Sequence, residues 1–307
     1  MRGSEVIRLS VFFDHILQAE EQTGKHIPEL LAEVKKAGIS AVEINCTYLL
    51  KHPATLEMLE TAGLQVSCIY EFYALERGRE TEKARRHIEI ARKTKAGKIL
   101  IVPGFFSVET EEFVNCVPDR EKVWDYLSHS EKAQRMADGL REIVEMAGSR
   151  NIADTPITVV IEDFDDRNSP IACVSGMQWF AEQVPGLCFT FDTGNFIIHG
   201  EDIFAAWEEL KDKVVHVHCK DRKISSDKPL QTQKNATPDI KECYLPAAVG
   251  EGCIPIKELV YKMKEYGYRG YLAIEHFDAA EQEAYMQKST ANLQEYCSQT
   301  GMEIYTK

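Results

Sequence analysis

The stretch Thr158-Val-Val-Ile-Glu-Asp163, read together with the segment after it, decides the fold class. Its β-branched run has strand character and ends in two carboxylates. A helical pattern comes next at 175–183, and then a second strand candidate, Leu187–Asp192. This strand–helix–strand order is typical of the unit from which parallel sheets are built.

The same unit recurs along the whole chain. The predicted strands are Ile7–Phe12, Ala41–Asn45, Gln65–Tyr70, Ile99–Pro103, Thr158–Asp163, Leu187–Asp192, Val214–Lys220 and Tyr271–Glu275. The predicted helices lie at about 26–37, 54–62, 80–96, 120–149, 175–183, 201–211, 255–266 and 279–298. Glycines are predicted to end several of the helices, namely Gly38, Gly63, Gly97, Gly186 and Gly267.

Eight strand–helix units indicate a closed parallel barrel. The predicted fold class is therefore α/β, a single (β/α)8 TIM barrel that forms one domain over residues 1–307. The rival fold, an open doubly wound sheet, would place a glycine-rich phosphate loop after the first strand. The segment 12–17 contains no glycine, which favours the barrel.

Composition excludes several classes of protein. With 44% hydrophobic and 28% charged residues, the chain is neither disordered nor a small disulfide scaffold. A net charge of -13 repels phosphate backbones and anionic lipid, so we expect no nucleic-acid and no membrane partner. The nine cysteines form no CxxC pair, no apolar run approaches the ~20 residues of a membrane span, and the start has no signal-peptide pattern, so a cytoplasmic location is predicted.

Four consecutive predicted strands each end in a side chain that can bind a metal ion. These residues are Glu162, Asp192, His218 and Glu275. Any one of them alone could simply cap the next helix or fill the core. Together, three carboxylates and one imidazole would crowd like charges, and a shared divalent cation keeps the carboxylates ionised. The oxygen-rich set suits Mn²⁺, Mg²⁺, Co²⁺, Fe²⁺ or Zn²⁺ and leans toward the harder ions.

Two connections are longer than a barrel requires. They run from Phe105 to Asp119 and from Asp221 to Gly252. Both come after the carboxyl ends of predicted strands, where barrel enzymes carry their chemistry, so both are candidate lids.

The sequence resembles the xylose isomerase-like TIM barrels, in particular the sugar phosphate isomerase/epimerase group. The resemblance runs from Gly38-Ile-Ser-Ala-Val-Glu43 to Leu-Ala-Ile-Glu275. The motifs that carry it are Val-Ile-Glu162, Phe-Asp192-Thr-Gly-Asn195, His216-Val-His218-Cys-Lys220-Asp221-Arg222 and Val249-Gly-Glu-Gly252. The resemblance implies that Glu162, Asp192, His218 and Glu275 bind one divalent metal ion.

The resemblance also implies an activity, that of a metal-dependent isomerase or epimerase of a sugar or sugar phosphate. Proton transfer would pass through a metal-bound enediolate, with Glu162 and Glu275 as the catalytic acid and base. The expected partner is a small-molecule carbohydrate, and a homo-oligomer is left open. Ketose 3-epimerases of this group often carry a histidine where this chain has Asn195, so an inosose-type dehydratase is an alternative.

Four further residues are predicted to bind substrate. They are Lys220, Arg222, Asn168 and Glu251. For Lys220 and Arg222 a surface salt bridge with Asp221 is an equal alternative, and for Asn168 simple exposure is. Glu251 lies between two glycines and is expected to order a lid.

Two functions of other classes compete with the isomerase. A histidine-rich DNA-repair endonuclease has the same fold, but Asn195 and the acidic net charge argue against it. A non-catalytic sugar-binding barrel is the second rival.

Overall fold

The computed structural model of the chain describes residues 6–106, 111–117, 119–148, 156–225 and 243–305. Within these ranges, no helix combines the length and the apolar composition that a membrane span needs.

All eight predicted strands are present. The strands are β1 (Val6–Phe12), β2 (Ala41–Asn45), β3 (Gln65–Phe72), β4 (Lys98–Val102), β5 (Thr158–Glu162), β6 (Cys188–Asp192), β7 (Val214–Ser225), β8 (Cys243–Ala247), β9 (Tyr271–Glu275) and β10 (Glu303–Ile304). The sequence did not predict β8 or β10. The predicted seventh strand ends too early, because β7 continues five residues beyond Lys220 to pair with β8.

Helices follow most of the strands. They are α1 (Phe13–Thr23), α2 (Ile27–Ala37), α3 (Cys46–Lys51), α4 (Thr55–Thr61), α5 (Thr81–Thr94), α6 (Glu111–Cys116), α7 (Arg120–His129), α8 (Glu131–Gly148), α9 (Val174–Gln183), α10 (Ile203–Leu210), α11 (Ile256–Tyr266) and α12 (Gln282–Thr300). Two short 3₁₀ helices, Phe196–His199 and Lys211–Lys213, complete the described part of the chain.

The prediction of one helix over 120–149 is wrong. Ser130 adopts an extended conformation (φ -82°, ψ 113°) between α7 and α8. Its hydroxyl accepts a hydrogen bond from the backbone N–H of Ala133 at 3.3 Å. A serine that accepts from the third residue onward caps a new helix, so the chain bends here.

The prediction that Gly97 ends a helix is also wrong. Helix α5 ends at Thr94, and Lys95 takes the left-handed conformation with φ 58°. At Gly38, by contrast, a φ of 109° closes α2 as predicted, because glycine reaches this region without steric cost.

The described chain contains two compact units, and parallel strand pairs occur in each. The first unit comprises residues 1–42, 57–65 and 217–307. In it β9 pairs in parallel with β1, from Arg8↔Tyr271 to Val11↔Ile274, and with β7, up to Lys220↔Glu275. Fully buried aliphatic side chains on these strands, such as Leu9 and Leu272, form part of the core of this unit.

The second unit comprises residues 43–56 and 66–216. Strands β3, β4, β5 and β6 pair in parallel in the order of the sequence. Val160, Phe189 and Phe191 form part of its buried core. That the two units make one domain over residues 1–307 stays a prediction.

Both candidate lids lie partly outside the described residues. In the first, α6 is described, whereas residues 107–110 and 118 are not. In the second, β7 and β8 form an antiparallel pair from Asp221↔Ala247 to Ser225↔Cys243, and residues 226–242 are outside the described ranges. The start of this segment is therefore an extension of the sheet.

Candidate active site

Two buried carboxylates lie together at the ends of β5 and β6 in the second unit. Glu162 is 7% exposed and Asp192 is fully buried. Each offers one oxygen, and the two oxygens lie within 4.8 Å of each other. The parallel register sets this approach, because Glu162 pairs with Thr190, two residues before Asp192 on the neighbouring strand. The predicted convergence of these two carboxylates is observed.

Asp163 supports this pair, and the sequence did not single it out. Its Oδ1 accepts the backbone N–H of Asp192 at 2.9 Å, and its own carbonyl oxygen accepts from Nδ2 of Asn195 at 2.8 Å. Burial and then the charges of Asp192 and Glu162 raise the pKa of Asp163 well above its usual range. Three acidic groups thus share a site that water hardly reaches, which is where a cation is most stabilising.

A carboxylate–imidazole pair lies in the same unit. Glu43 on β2 and His216 on β7 are both fully buried, and Oε2 of Glu43 lies 2.8 Å from Nε2 of His216. His216 precedes the predicted metal ligand His218 by two residues on β7, so the two side chains leave the strand on the same face. Their separation of 173 residues left no local signal of this contact.

In the first unit, the Glu275 carboxylate contacts two basic side chains. Its Oε1 lies 2.7 Å from Nζ of Lys220, and its Oε2 lies 3.0 Å from Nδ1 of His218. Burial by itself would raise the pKa of Glu275, but the charge of Lys220 and the contact and charge of His218 lower it. The net shift is downward, so the carboxylate is ionised although its side chain is only 4% exposed.

Lys220 and Arg222 flank a residue that organises the turn after β8. Asp221 is fully buried, and its carboxylate accepts four backbone N–H groups. They are those of Arg222 (2.8 Å), Gly250 (2.8 Å), Gly252 (2.9 Å) and Ile254 (3.1 Å). The described contacts of Asp221 are therefore with backbone rather than with a basic side chain, because the oxygens are saturated by amides.

Glu251 and Asn168 occupy different surroundings. Glu251 is exposed, and its Oε1 lies 3.3 Å from Nζ of Lys288 on α12. Asn168 lies in the loop after β5, where its Nδ2 donates to Asp166 at 3.0 Å and its carbonyl accepts from the N–H of Phe106 at 2.6 Å. Asp221 contacts the same turn through the turn's backbone N–H groups, and the ordering role of Glu251 stays a prediction. Substrate binding by Lys220, Arg222, Asn168 and Glu251 stays a prediction.

The predicted ligands offer carboxylate and imidazole groups, which can bind a divalent metal ion. Glu162 and Asp192 supply anionic oxygens in the second unit, and Glu275 and His218 supply an oxygen and a nitrogen in the first.

A family model described as the xylose isomerase-like TIM barrel matches residues 31–296. The chain belongs to this family. Its fold class is accordingly that of a closed barrel of eight parallel strands surrounded by helices, a single (β/α)8 TIM barrel, as predicted.

Individual known proteins are similar to this chain at low sequence identity. An inosose dehydratase from Lacticaseibacillus casei is 29% identical over 86 residues, a stretch that spans 28% of this chain and 28% of the dehydratase. Among solved structures, a probable 3-DHS dehydratase of petrobactin synthesis from Bacillus anthracis has a TM-score of 0.66 and 15% identity, and the match covers 94% of this chain and 98% of that one. A 3-keto-D-glucoside 4-epimerase from E. coli has a TM-score of 0.64 and 17% identity, over 94% of this chain and 98% of that one. At these identities the two solved structures establish the fold alone.

Proposed function

We propose that this chain is a metal-dependent isomerase or epimerase that acts on a sugar or sugar phosphate by proton transfer. The observation that carries the proposal is the buried acidic cluster of Glu162, Asp163 and Asp192, in which burial and like charge raise the pKa of Asp163. Burial of like charges costs free energy, which a bound cation or a bound proton offsets, and carboxyl groups with shifted pKa values are typical of catalytic sites.

The proposed ligands of the ion are Glu162, Asp192, His218 and Glu275. When bound, a divalent ion polarises a substrate carbonyl and lowers the cost of negative charge next to it. Manganese is the ion we would test first, because the donor set is rich in oxygen. We also propose a cytoplasmic location, because the cytoplasm contains divalent metal ions and keeps thiols reduced.

Glu162 and Glu275 are the two residues that we propose as base and acid in the proton transfer. Glu275 is ionised, as a residue that accepts a proton from carbon must be, and Lys220 and His218 lie beside it. Lys220 and Arg222 are proposed to hold an anionic or hydroxyl group of the substrate, since they place N–H donors on β7 two and four residues after the proposed ligand His218.

A dehydratase is the second candidate. The 86-residue match with an inosose dehydratase favours it, and both reactions begin with removal of a proton next to a carbonyl. The two reactions differ in their second step, because a dehydratase expels water whereas an epimerase returns a proton to carbon.

Proton exchange in D₂O tests the proposal. The chain, loaded with Mn²⁺, is incubated with ketoses, their phosphates and inososes, and carbon-bound deuterium is followed by NMR. We expect deuterium next to the carbonyl of at least one substrate, loss of exchange in excess chelator, and at least a 100-fold lower rate in Glu162→Gln and Glu275→Gln.

The matched control is Glu89→Gln, an exposed residue of α5, which should exchange at the wild-type rate. Loss of water from the substrate would identify the dehydratase. If no compound exchanges, or if exchange persists without metal, the proposal is wrong. Tight carbohydrate binding that is unaltered in Glu162→Gln, with no bound metal, would identify a non-catalytic sugar-binding barrel.

A further inference from the structure

Two buried histidines lie stacked beside the end of β9. His15 on α1 is fully buried and His276 is 1% exposed. Their ring centroids are 4.5 Å apart, and the planes differ by 20°. The proposed function uses neither residue, and His276 comes directly after Glu275.

The contact between them is a hydrogen bond to the backbone. The N–H of His276 donates to Nε2 of His15 at 2.9 Å. An imidazole nitrogen that accepts is unprotonated, so the His15 proton is on Nδ1 and the ring is neutral. Burial, together with the neighbouring charge of His276, lowers the pKa of His15, in agreement with this neutral form.

This N–H belongs to the peptide that joins Glu275 to His276. Strand β9 ends at Glu275, whose pairing with Lys220 of β7 is the last in the register. The next N–H lies beyond the ladder, and a buried N–H without an acceptor would cost free energy. His15 therefore supplies the acceptor that the sheet does not.

The other side of the same residue is also held. The carbonyl oxygen of His276 accepts from Nε2 of Gln282 at 3.0 Å. The rings of Phe12 and Phe277 pack around His15, at centroid distances of 5.7 Å and 4.8 Å. Phe12 also contacts the ring of His218 at 4.9 Å. The backbone that follows Glu275 is thus fixed at both polar groups and packed on aromatic side chains.

We propose that His15 is a positioning residue for the Glu275 carboxylate, acting through the peptide bond that follows Glu275. The inference deepens the proposed function, on which it rests for its catalytic consequence. By fixing that peptide plane, His15 sets the direction in which the Glu275 side chain leaves the strand, and so its contacts with Lys220 and His218.

Two substitutions separate the hydrogen bond from the packing. His15→Phe keeps a planar ring for the stack but has no acceptor, whereas His15→Gln places an amide oxygen near the position of Nε2. We expect His15→Phe to speed amide hydrogen exchange of His276 at least tenfold and His15→Gln to leave it within about threefold. In crystal structures, the contact between Lys220 and Glu275 should lengthen beyond about 4 Å in His15→Phe and persist in His15→Gln.

Metal affinity and turnover give the functional result. The Kd for Mn²⁺ should rise 10- to 100-fold in His15→Phe, with kcat lowered by a similar factor and KM within about twofold, and His15→Gln should recover most of both. The control is His87→Phe. His87 is a buried histidine of α5 whose Nε2 contacts the carbonyl of Ile69 at 3.0 Å, and this variant should lose stability without a change in kcat or Kd.

The inference is overturned if His15→Phe keeps the contact between Lys220 and Glu275 and the exchange rate of His276. It is also overturned if His15→Gln and His15→Phe lose Mn²⁺ affinity equally. Should the wild-type protein turn over no substrate, the proposed function fails, while the exchange rate and the crystal contact still decide the role of His15.

Discussion

Gly252 occupies a position where a side chain cannot be placed without displacing the turn after β8. A Cβ there would lie 2.1 Å from Oδ1 of Asp221 and 2.5 Å from the carbonyl oxygen of Arg222. The close approach exists because the N–H of Gly252 donates to Asp221. Because glycine has no side chain, the carboxylate of Asp221 can come close enough to accept this N–H.

Gly252→Ala should therefore lower the free energy of unfolding by about 1–3 kcal/mol, since the new methyl group overlaps a buried carboxylate and a backbone oxygen. Urea denaturation at neutral pH measures it. Gly97→Ala is the matched control, because nothing lies within 4 Å of the position that its methyl group would take, and its change should stay within about 0.5 kcal/mol. Equal stability of the two variants would contradict the clash.

At the site, the sequence predicted the residues at the ends of strands. It did not predict the residues that form hydrogen bonds or ion pairs around them. Glu162 and Asp192 could be found because each closes an apolar run, and neighbouring parallel strands end at one edge. Glu43 with His216, and His15 with His276, are separated by 173 and 261 residues. Local periodicity contains no information about contacts at such separations. Asp163 was missed as well, because the backbone N–H that it accepts belongs to Asp192, 29 residues further along the chain.

Among the elements, the first residue of α9 donates its backbone N–H to a carboxylate from a loop that is distant in sequence. Both carboxylate oxygens of Glu201 accept the N–H of Val174, at 3.2 Å and 3.1 Å. Burial raises the pKa of Glu201 from 4.5 to about 7, although the hydrogen bond with Val174 lowers it. The folded state therefore binds a proton more tightly than the unfolded state does.

The sign of the pH dependence is set by that difference. Between pH 4.5 and 7 the folded protein holds more protons than the unfolded chain, so this group lowers stability as pH rises. Glu201→Gln keeps an oxygen acceptor and removes the titration. Its stability relative to wild type should rise between pH 5 and pH 8, by at most about 3 kcal/mol.

Urea unfolding at the two pH values measures the effect. The control is Glu182→Gln, at an exposed position of α9. Its difference in unfolding free energy from wild type should not change with pH. A pH-independent difference in Glu201→Gln would refute the shifted pKa.

Periodicity predicted the strands well because each is a short apolar run bounded by turn residues. It missed α1, since Phe12 ends β1 and Phe13 begins the helix with no turn between them. It missed β8, whose register depends on the extension of β7 rather than on its own pattern. The break at Ser130 was missed because the apolar spacing continues through both helices.

On the scale of the whole molecule, two strands contribute residues to both compact units. Strand β2 is divided after Val42 and β7 after His216. A strand is a cooperative element, so one unit cannot unfold without fraying a strand of the other. This continuity supports the prediction of one domain over residues 1–307.

The chain should accordingly unfold in a single transition. Its three tryptophans, at positions 124, 179 and 207, all belong to the second unit, so their fluorescence reports that unit. Far-UV circular dichroism reports both. The urea midpoints from the two signals should coincide, whereas two separated midpoints would divide the chain into two domains.

Asp221 has a consequence for how this turn can vary in evolution. Four backbone amides satisfy its buried carboxylate, and Gly252 tolerates no larger residue while that carboxylate is present. Neither position can change first without a penalty. In diverging lineages, a sequence that keeps the aspartate at position 221 should therefore also keep glycine at position 252.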